Sequence, residues 1–189
     1  MKQAKTLSDR ELKRVLAIIS ASRHPQRNRI AMLLSFYAGL RAKEIAALRV
    51  CDVFAEDGSV MSKITLNVDQ TKGNNSRSIY INTKLSNALE AYKKCIQLRL
   101  PMKPLIESQK RTAFSPNSMC QLMCSIYKSA GIIGASSHSG RRSFITNLAN
   151  KGVNVRVLME LSGHKNMATT QRYIDVNEDL LKNAVELAI

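Results

Sequence analysis

Apolar residues recur at helical spacing along most of the chain and at a spacing of two in one short stretch, a pattern that predicts a mainly α protein with a small antiparallel β-sheet. Leu12, Val15, Leu16 and Ile19 follow Ser8-Asp9-Arg10-Glu11. Ser8 can accept from a free helix amide there while Glu11 reaches back to the Ser8 amide, so a first helix should run to about Ala21. A second covers Arg27 to Ala38, beyond His24-Pro25, and stops at Gly39, which tolerates the left-handed end conformation. Its apolar run from Ile30 to Leu40, interrupted by Ser35, is too short to span a bilayer and reads as a buried helix. Ala42 to Leu48 forms a short third helix, which leaves Arg41 at a helix junction.

Alternation takes over at Ile64, Leu66 and Val68 and again at Ile79 and Ile81. The intervening Lys72-Gly73-Asn74-Asn75-Ser76 has strong turn chemistry, so this stretch is a β-hairpin. Helical spacing returns from Thr83 to about Leu98, with Leu85, Leu89, Tyr92 and Ile96 on one side, and Pro101 and Pro104 mark a loop. Ser115-Pro116 starts a helix to Ala130; others run from Ser139 to Gly152, from the cap Asn154 to about Leu161, from Lys165 to about Tyr173, and from Glu178 to Ala188. Gly140 should loosen the start of the helix it lies in. The stripe Leu180, Leu181, Ala184, Val185 and Ala188 can close the core of this chain or dock elsewhere, and the sequence leaves that open.

Composition narrows the partners. The chain has 189 residues, enough for one well-buried core and too few for two ordinary domains. Lys and Arg number 29 against 14 Asp and Glu, a net charge of +15, which favours a polyanion; with no basic amphipathic anchor at a terminus, nucleic acid is preferred to a membrane. The start Met1-Lys2-Gln3-Ala4-Lys5 lacks the apolar region of a secretion signal, so a cytoplasmic protein, nucleoid-associated when bound to DNA, is expected. Cys51, Cys95, Cys120 and Cys124 lack zinc-ligand spacing and should be reduced thiols packed in or near the core; no metal site is expected. His24 matches no motif and should be exposed.

The candidate chemistry concentrates in His138-Ser139-Gly140-Arg141, Leu161-Ser162-Gly163-His164 and Tyr173, with Gly39-Leu40-Arg41 upstream. Attack on a phosphodiester builds charge on the non-bridging oxygens, and arginine forks already in place counter it best. Arg41 and Arg141 suit that task. His138 and His164, expected at helix starts where amides favour an anion, can add hydrogen bonds. The Tyr173 hydroxyl, with an ordinary pKa of about 10, becomes a nucleophile once neighbouring cations or a base draw off its proton. Glu44 should hold a basic neighbour in place.

The order Gly39-Leu40-Arg41-Ala42-Lys43-Glu44-Ile45, His138-x-x-Arg141, Leu161-Ser162-Gly163-His164 and then Thr169-Thr170 before Tyr173 resembles the catalytic domain of the tyrosine recombinases, also called phage integrases, over nearly the whole chain. The resemblance implies that Arg41 and Arg141 are the catalytic arginines, His138 and His164 the histidine positions, Tyr173 the nucleophile, and Lys72 on the hairpin the lysine. Lys43, Arg142 and Lys165 are expected to contact DNA. Two departures stand out: the family usually has leucine where this chain has Gly140, and often histidine where it has Arg142.

What the resemblance implies is a site-specific DNA recombinase that cuts and rejoins duplex DNA through a 3′-phosphotyrosyl link, in integration, excision or inversion, with no metal or other cofactor. Four protomers would assemble on two DNA sites, and accessory DNA-binding proteins can join them. Residues 1–189 should form one catalytic domain, with the family's separate N-terminal core-binding domain absent; an excised domain and a naturally short recombinase both fit. The rivals are type IB topoisomerase-like DNA relaxation and a non-catalytic DNA-binding regulator derived from the fold. Neither uses the set as well, since His164 and the nearby Tyr173 suit a recombinase and a pure binder has no need of Tyr173.

Overall fold

The computed structural model describes residues 3–71, 76–96 and 100–174, together with 181, 185 and 186. Among these, helices α1 (Asp9–Ser20), α2 (Pro25–Ala38), α3 (Ala42–Ala47) and α4 (Val50–Val53) precede a hairpin of β1 (Lys63–Leu66) and β2 (Arg77–Tyr80). Helices α5 (Thr83–Lys93), α6 (Pro116–Ser129), α7 (Ser139–Ala149), α8 (Val155–Ser162) and α9 (Met167–Gln171) follow. The mainly helical architecture with one small antiparallel sheet is the expected one.

The α1 cap forms as its sequence requires: Ser8 Oγ accepts from the Glu11 amide at 3.2 Å and Glu11 Oε2 accepts from the Ser8 amide at 3.0 Å. Helix α2 is the central element. From Ile30 to Phe36 every residue is buried, and the helix packs against α1, α5 and α7. It begins at Pro25 rather than Arg27, because proline at the first helical position has no amide to leave unpaired. His24 thereby becomes the helix cap and is half-buried rather than exposed.

Helix α4 escaped the pattern, since four residues are too few for a period to show. Arg49 forms an isolated bridge with Pro104, and Leu105 donates its amide to the Leu48 carbonyl at 2.8 Å, so the Pro101–Pro104 loop is tied down beside α4. In the hairpin, Ile64 pairs with Ile79 and Leu66 with Arg77. The strands are shorter than the alternation suggests: Val68 lies beyond β1 and is exposed, and Ile81 lies beyond β2. The four thiols are not packed in the core as expected: Cys51, Cys95 and Cys124 are exposed and Cys120 is only partly covered, because each falls off the apolar face of its segment.

Gly140 does not loosen α7. A Cβ there would lie 2.7 Å from Ser35 Oγ, 2.9 Å from Ser35 Cβ and 3.3 Å from the Phe36 nitrogen, so glycine is what lets α7 press against α2. One turn further along α7, the buried Ser143 hydroxyl donates to the Ser139 carbonyl and accepts from the Leu7 amide at 2.7 Å, fastening the N-terminal segment. Gly140→Ala should therefore destabilise the protein by about 1–3 kcal/mol, the usual cost of forcing a methyl into a packed helix contact. Urea unfolding is the check; an unchanged midpoint would mean that α2 and α7 separate freely.

Candidate active site

The site is built where the α2–α3 junction, the start of α7, the end of α8 and strand β2 meet. Gly39 ends α2 with φ +65°, which turns the chain so that Arg41 caps α3. Glu44, three residues on, is fully buried. Its Oε2 accepts from the Arg41 amide at 2.8 Å and from Arg77 Nη2 at 2.8 Å, and its Oε1 accepts from Arg41 Nη1 at 2.8 Å. Glu44 thus does hold a basic neighbour, in fact two.

Helix α8 ends at Gly163 in the left-handed conformation, φ +59°, with its last carbonyls exposed to these cations. Arg77 Nη1 donates to the Leu161 carbonyl at 3.0 Å, Arg141 Nη2 to the Ser162 carbonyl, and Arg41 Nη2 reaches the Gly163 carbonyl at 3.5 Å. Arg141, 4 % exposed, also donates from Nη1 to the Gly39 carbonyl at 2.6 Å. Three arginines from three elements therefore converge on three successive carbonyls.

His164 follows this turn. It sits beyond the end of α8 and not at a helix start, because Asn166 caps α9 through the Ala168 amide. Its Nδ1 lies 2.9 Å from the hydroxyl of buried Thr170, which fixes the ring plane. Tyr173, half-buried, stacks on His164 with ring centroids 5.7 Å apart, and the Arg142 guanidinium lies 5.3 Å from the Tyr173 ring centre while its Nε donates to Thr6 Oγ1 at 3.1 Å.

Arg41, Arg141, His164 and Tyr173 are thus gathered around the end of α8. His138 is the exposed N-cap of α7, three residues before Arg141. Lys43 donates from Nζ to the Thr71 carbonyl at 2.9 Å, at the foot of the hairpin turn; Lys165 is exposed beside His164. Lys72 lies outside the described residues.

Two residues of the site escaped the sequence reading. Arg77 could have been found by parity, since it shares the inward face of its strand with Ile79, where a charge needs a buried partner. Gln70, which donates from Nε2 to the Ala47 carbonyl at 3.0 Å and to Asp52 Oδ2 at 2.6 Å, anchors the hairpin and carries no local signal.

The cluster places three guanidiniums around one carboxylate. Burial by itself would raise the pKa of Glu44, but Arg77, the hydrogen bond from the Arg41 amide and the charges of Arg41 and Arg141 outweigh it and hold the carboxyl below its ordinary value. Burial, then Arg41 and Arg77, lowers Arg141 to about 9, which leaves it charged at neutral pH. Burial and the charges of Arg141, Arg41 and Arg77 press His164 down to about 4, so its imidazole is neutral. An anion entering among these groups would meet preset donors and relieve their mutual repulsion.

A match to the Phage integrase family extends over residues 5–179, and the chain belongs to that family. It is 30% identical over 188 residues to the tyrosine recombinase XerA of Pyrococcus furiosus and 32% identical over 188 residues to that of Thermococcus kodakarensis, in each case covering 97% of this chain and 62% of the relative. The chain thus spans about three fifths of the length of these relatives. The crystal structure of XerA recombinase superposes with a TM-score of 0.74 at 25% identity, covering 98% of this chain and 66% of that one. The Tn1549 transposon integrase in complex with transposon right end DNA superposes at 0.75 with 19% identity, over 100% of this chain and 67% of that one, a likeness of fold. No helix among the described residues is long and apolar enough to cross a membrane.

Because the folded His164 binds its proton only near pH 4 whereas an unfolded one binds it near 6.5, the unfolded state takes up the extra proton as pH falls through that window, and stability is lost there. His164→Gln, which keeps a polar partner for Thr170, should flatten the fall in melting temperature between pH 6.5 and 4. Melting curves across that range decide it; an unchanged slope would show that His164 is not held neutral.

Proposed function

We propose that this chain is the catalytic domain of a site-specific DNA recombinase that cuts and rejoins duplex DNA through a 3′-phosphotyrosyl intermediate on Tyr173. The observation that carries the reading is the convergence of the Arg41 and Arg141 guanidiniums on the α8 turn whose next residue, His164, stacks on Tyr173. A tyrosine beside a preset trap for a phosphate is what covalent transfer to a hydroxyl requires. The continuous core from Leu7 to Ile132, with α7 packed on α2 and α8 on α7, supports the described residues acting as one domain.

In this mechanism the Tyr173 oxygen attacks the scissile phosphorus while its proton passes to water, and the bond to the 5′ oxygen breaks. The departing oxygen takes a proton from Lys72, the family's lysine position. Arg41, Arg141, His138 and His164 hold the non-bridging oxygens as charge builds, and a 5′ hydroxyl from the partner strand reverses the step. Lys43, Arg142 and Lys165 add positive charge near the duplex, within a chain whose net charge is +15. The names of the sequence relatives favour recombination over topoisomerase-like relaxation.

Wild-type protein incubated with a nicked suicide duplex should form a covalent adduct on a denaturing gel. Tyr173→Phe should bind the duplex and form none, while Arg41→Ala and Arg141→Ala should each slow adduct formation by about a hundredfold or more, the scale of losing one transition-state donor. Adduct from the Phe variant at the wild-type level would remove Tyr173 as nucleophile.

Assembly of several protomers is supported by two apolar surfaces. Leu181 and Val185, four residues apart, are exposed, and a groove of about 980 Å³ is floored by Leu7, Leu12, Leu16, Phe36 and Phe144. The two side chains of one protomer would enter the groove of the next. Leu181→Ser with Val185→Ser should change stability by no more than about 0.5 kcal/mol, the small range of surface substitutions, and so barely move the melting temperature, yet abolish two-site complexes in native gels. A lowered melting temperature with assembly intact would place these side chains in their own subunit's core.

A further inference from the structure

Arg77 stands apart from the residues the family pattern names. It projects from the inward face of β2, its side chain is 9 % exposed, and it joins two separate parts of the site: Glu44 at the start of α3, through Nη2, and the Leu161 carbonyl at the end of α8, through Nη1. It also passes so close over Gly163 that a Cβ there would sit 2.7 Å from Arg77 Cδ. A buried cation surrounded by two like charges is costly, and an apolar side chain at this strand position would pack at less expense of desolvation. Something other than packing favours the guanidinium.

The geometry of Glu44 shows what it does. Oε2 is taken by the Arg41 amide and by Arg77, so a single oxygen, Oε1, faces the Arg41 guanidinium and binds its Nη1 alone. The rest of the Arg41 fork stays directed toward the Gly163 turn. Remove Arg77 and Oε2 loses its charged partner; the carboxylate then gains most by gripping Arg41 with both oxygens, the preferred pairing of a guanidinium with a carboxylate. That pairing would withdraw the fork from an incoming phosphate.

We infer that Arg77 is a positioning residue for strand cleavage: by occupying Glu44 Oε2 and the Leu161 carbonyl it keeps Arg41 singly held and its remaining donors available to the scissile phosphate. This rests on the recombinase reading above. Arg77 acts through Arg41 and touches no reacting atom.

The test is a double-mutant cycle on the full chain, with adduct formation on a suicide duplex, duplex binding by gel shift and thermal melting measured for each variant. Arg77→Met should slow adduct formation by about tenfold or more, and in an Arg41→Ala background it should cost less than about threefold, because groups acting as one unit are not additive. Duplex binding should change by less than about threefold, since one buried charge contributes little to the counterion release that dominates affinity. Arg77→Lys, which can still neutralise Oε2 but cannot also reach Leu161, should recover part of the rate. Losses that multiply fully in the double variant would overturn the inference and make Arg77 an independent contact. If Arg77→Met does not fold, the same comparison with Arg77→Lys decides.

A second readout is independent of cleavage. The 15N–1H signals of the Arg41 guanidinium, assigned by their loss in Arg41→Ala, should shift in Arg77→Met and return toward wild type in Arg77→Lys. Unchanged Arg41 signals would overturn the inference even if the wild-type protein forms no adduct, an outcome that would by itself count against the recombinase reading alone.

Discussion

A single buried carboxylate organises this protein's candidate site. Glu44 lies fully buried in the first turn of a six-residue helix, and a buried charge of that kind persists only when cations and amides satisfy it. Arg41 comes from its own helix start and Arg77 from the sheet, so satisfying Glu44 forces the α2–α3 junction and the hairpin to one place. The same requirement sets the direction of the Arg41 fork. Removing either cation leaves a buried charge underpaired, which is why the pieces are bound to one another rather than merely adjacent.

Three guanidiniums exceed what one carboxylate can neutralise, and the end of α8 supplies the remainder. The last carbonyls of a helix lack intrahelical partners and carry the negative end of its dipole. The left-handed turn at Gly163 presents Leu161, Ser162 and Gly163 in succession to Arg77, Arg141 and Arg41. Those contacts hold the donors at fixed positions, and donors already in place need no reorganisation when charge develops beside them. They also explain why the Leu-Ser-Gly-His run is contiguous: the carbonyls and the histidine that follows must lie on one turn.

The excess positive charge then acts on the neighbours. Together with burial it keeps His164 in its neutral form, and the imidazole stacks on Tyr173 while Thr170 holds its plane. The first residues of the chain take part as well. Leu7 is pinned by Ser143 and Thr6 by Arg142, so the guanidinium beside the Tyr173 ring is steadied by a segment more than 130 positions away in sequence.

Much of this was legible in the chain itself. Period and capping chemistry are local, so the α1 cap, the end of α2 at Gly39, the hairpin and most helices could be read from neighbours three or four residues apart. The family motifs carried Arg41, Arg141, His164 and Tyr173, because each lies in a short run whose order is itself a signal. What only the tertiary structure decided is which groups share a charge or a space across long separations. The shared hold of Arg41 and Arg77 on Glu44, the anchoring of the hairpin by Gln70 and the close approach of Gly140 to Ser35 all arise where distant elements meet. Gly140 shows the reason most plainly: local propensity describes glycine as a weak point in a helix, whereas the opposing helix, a hundred residues earlier in the chain, makes it the residue that fits.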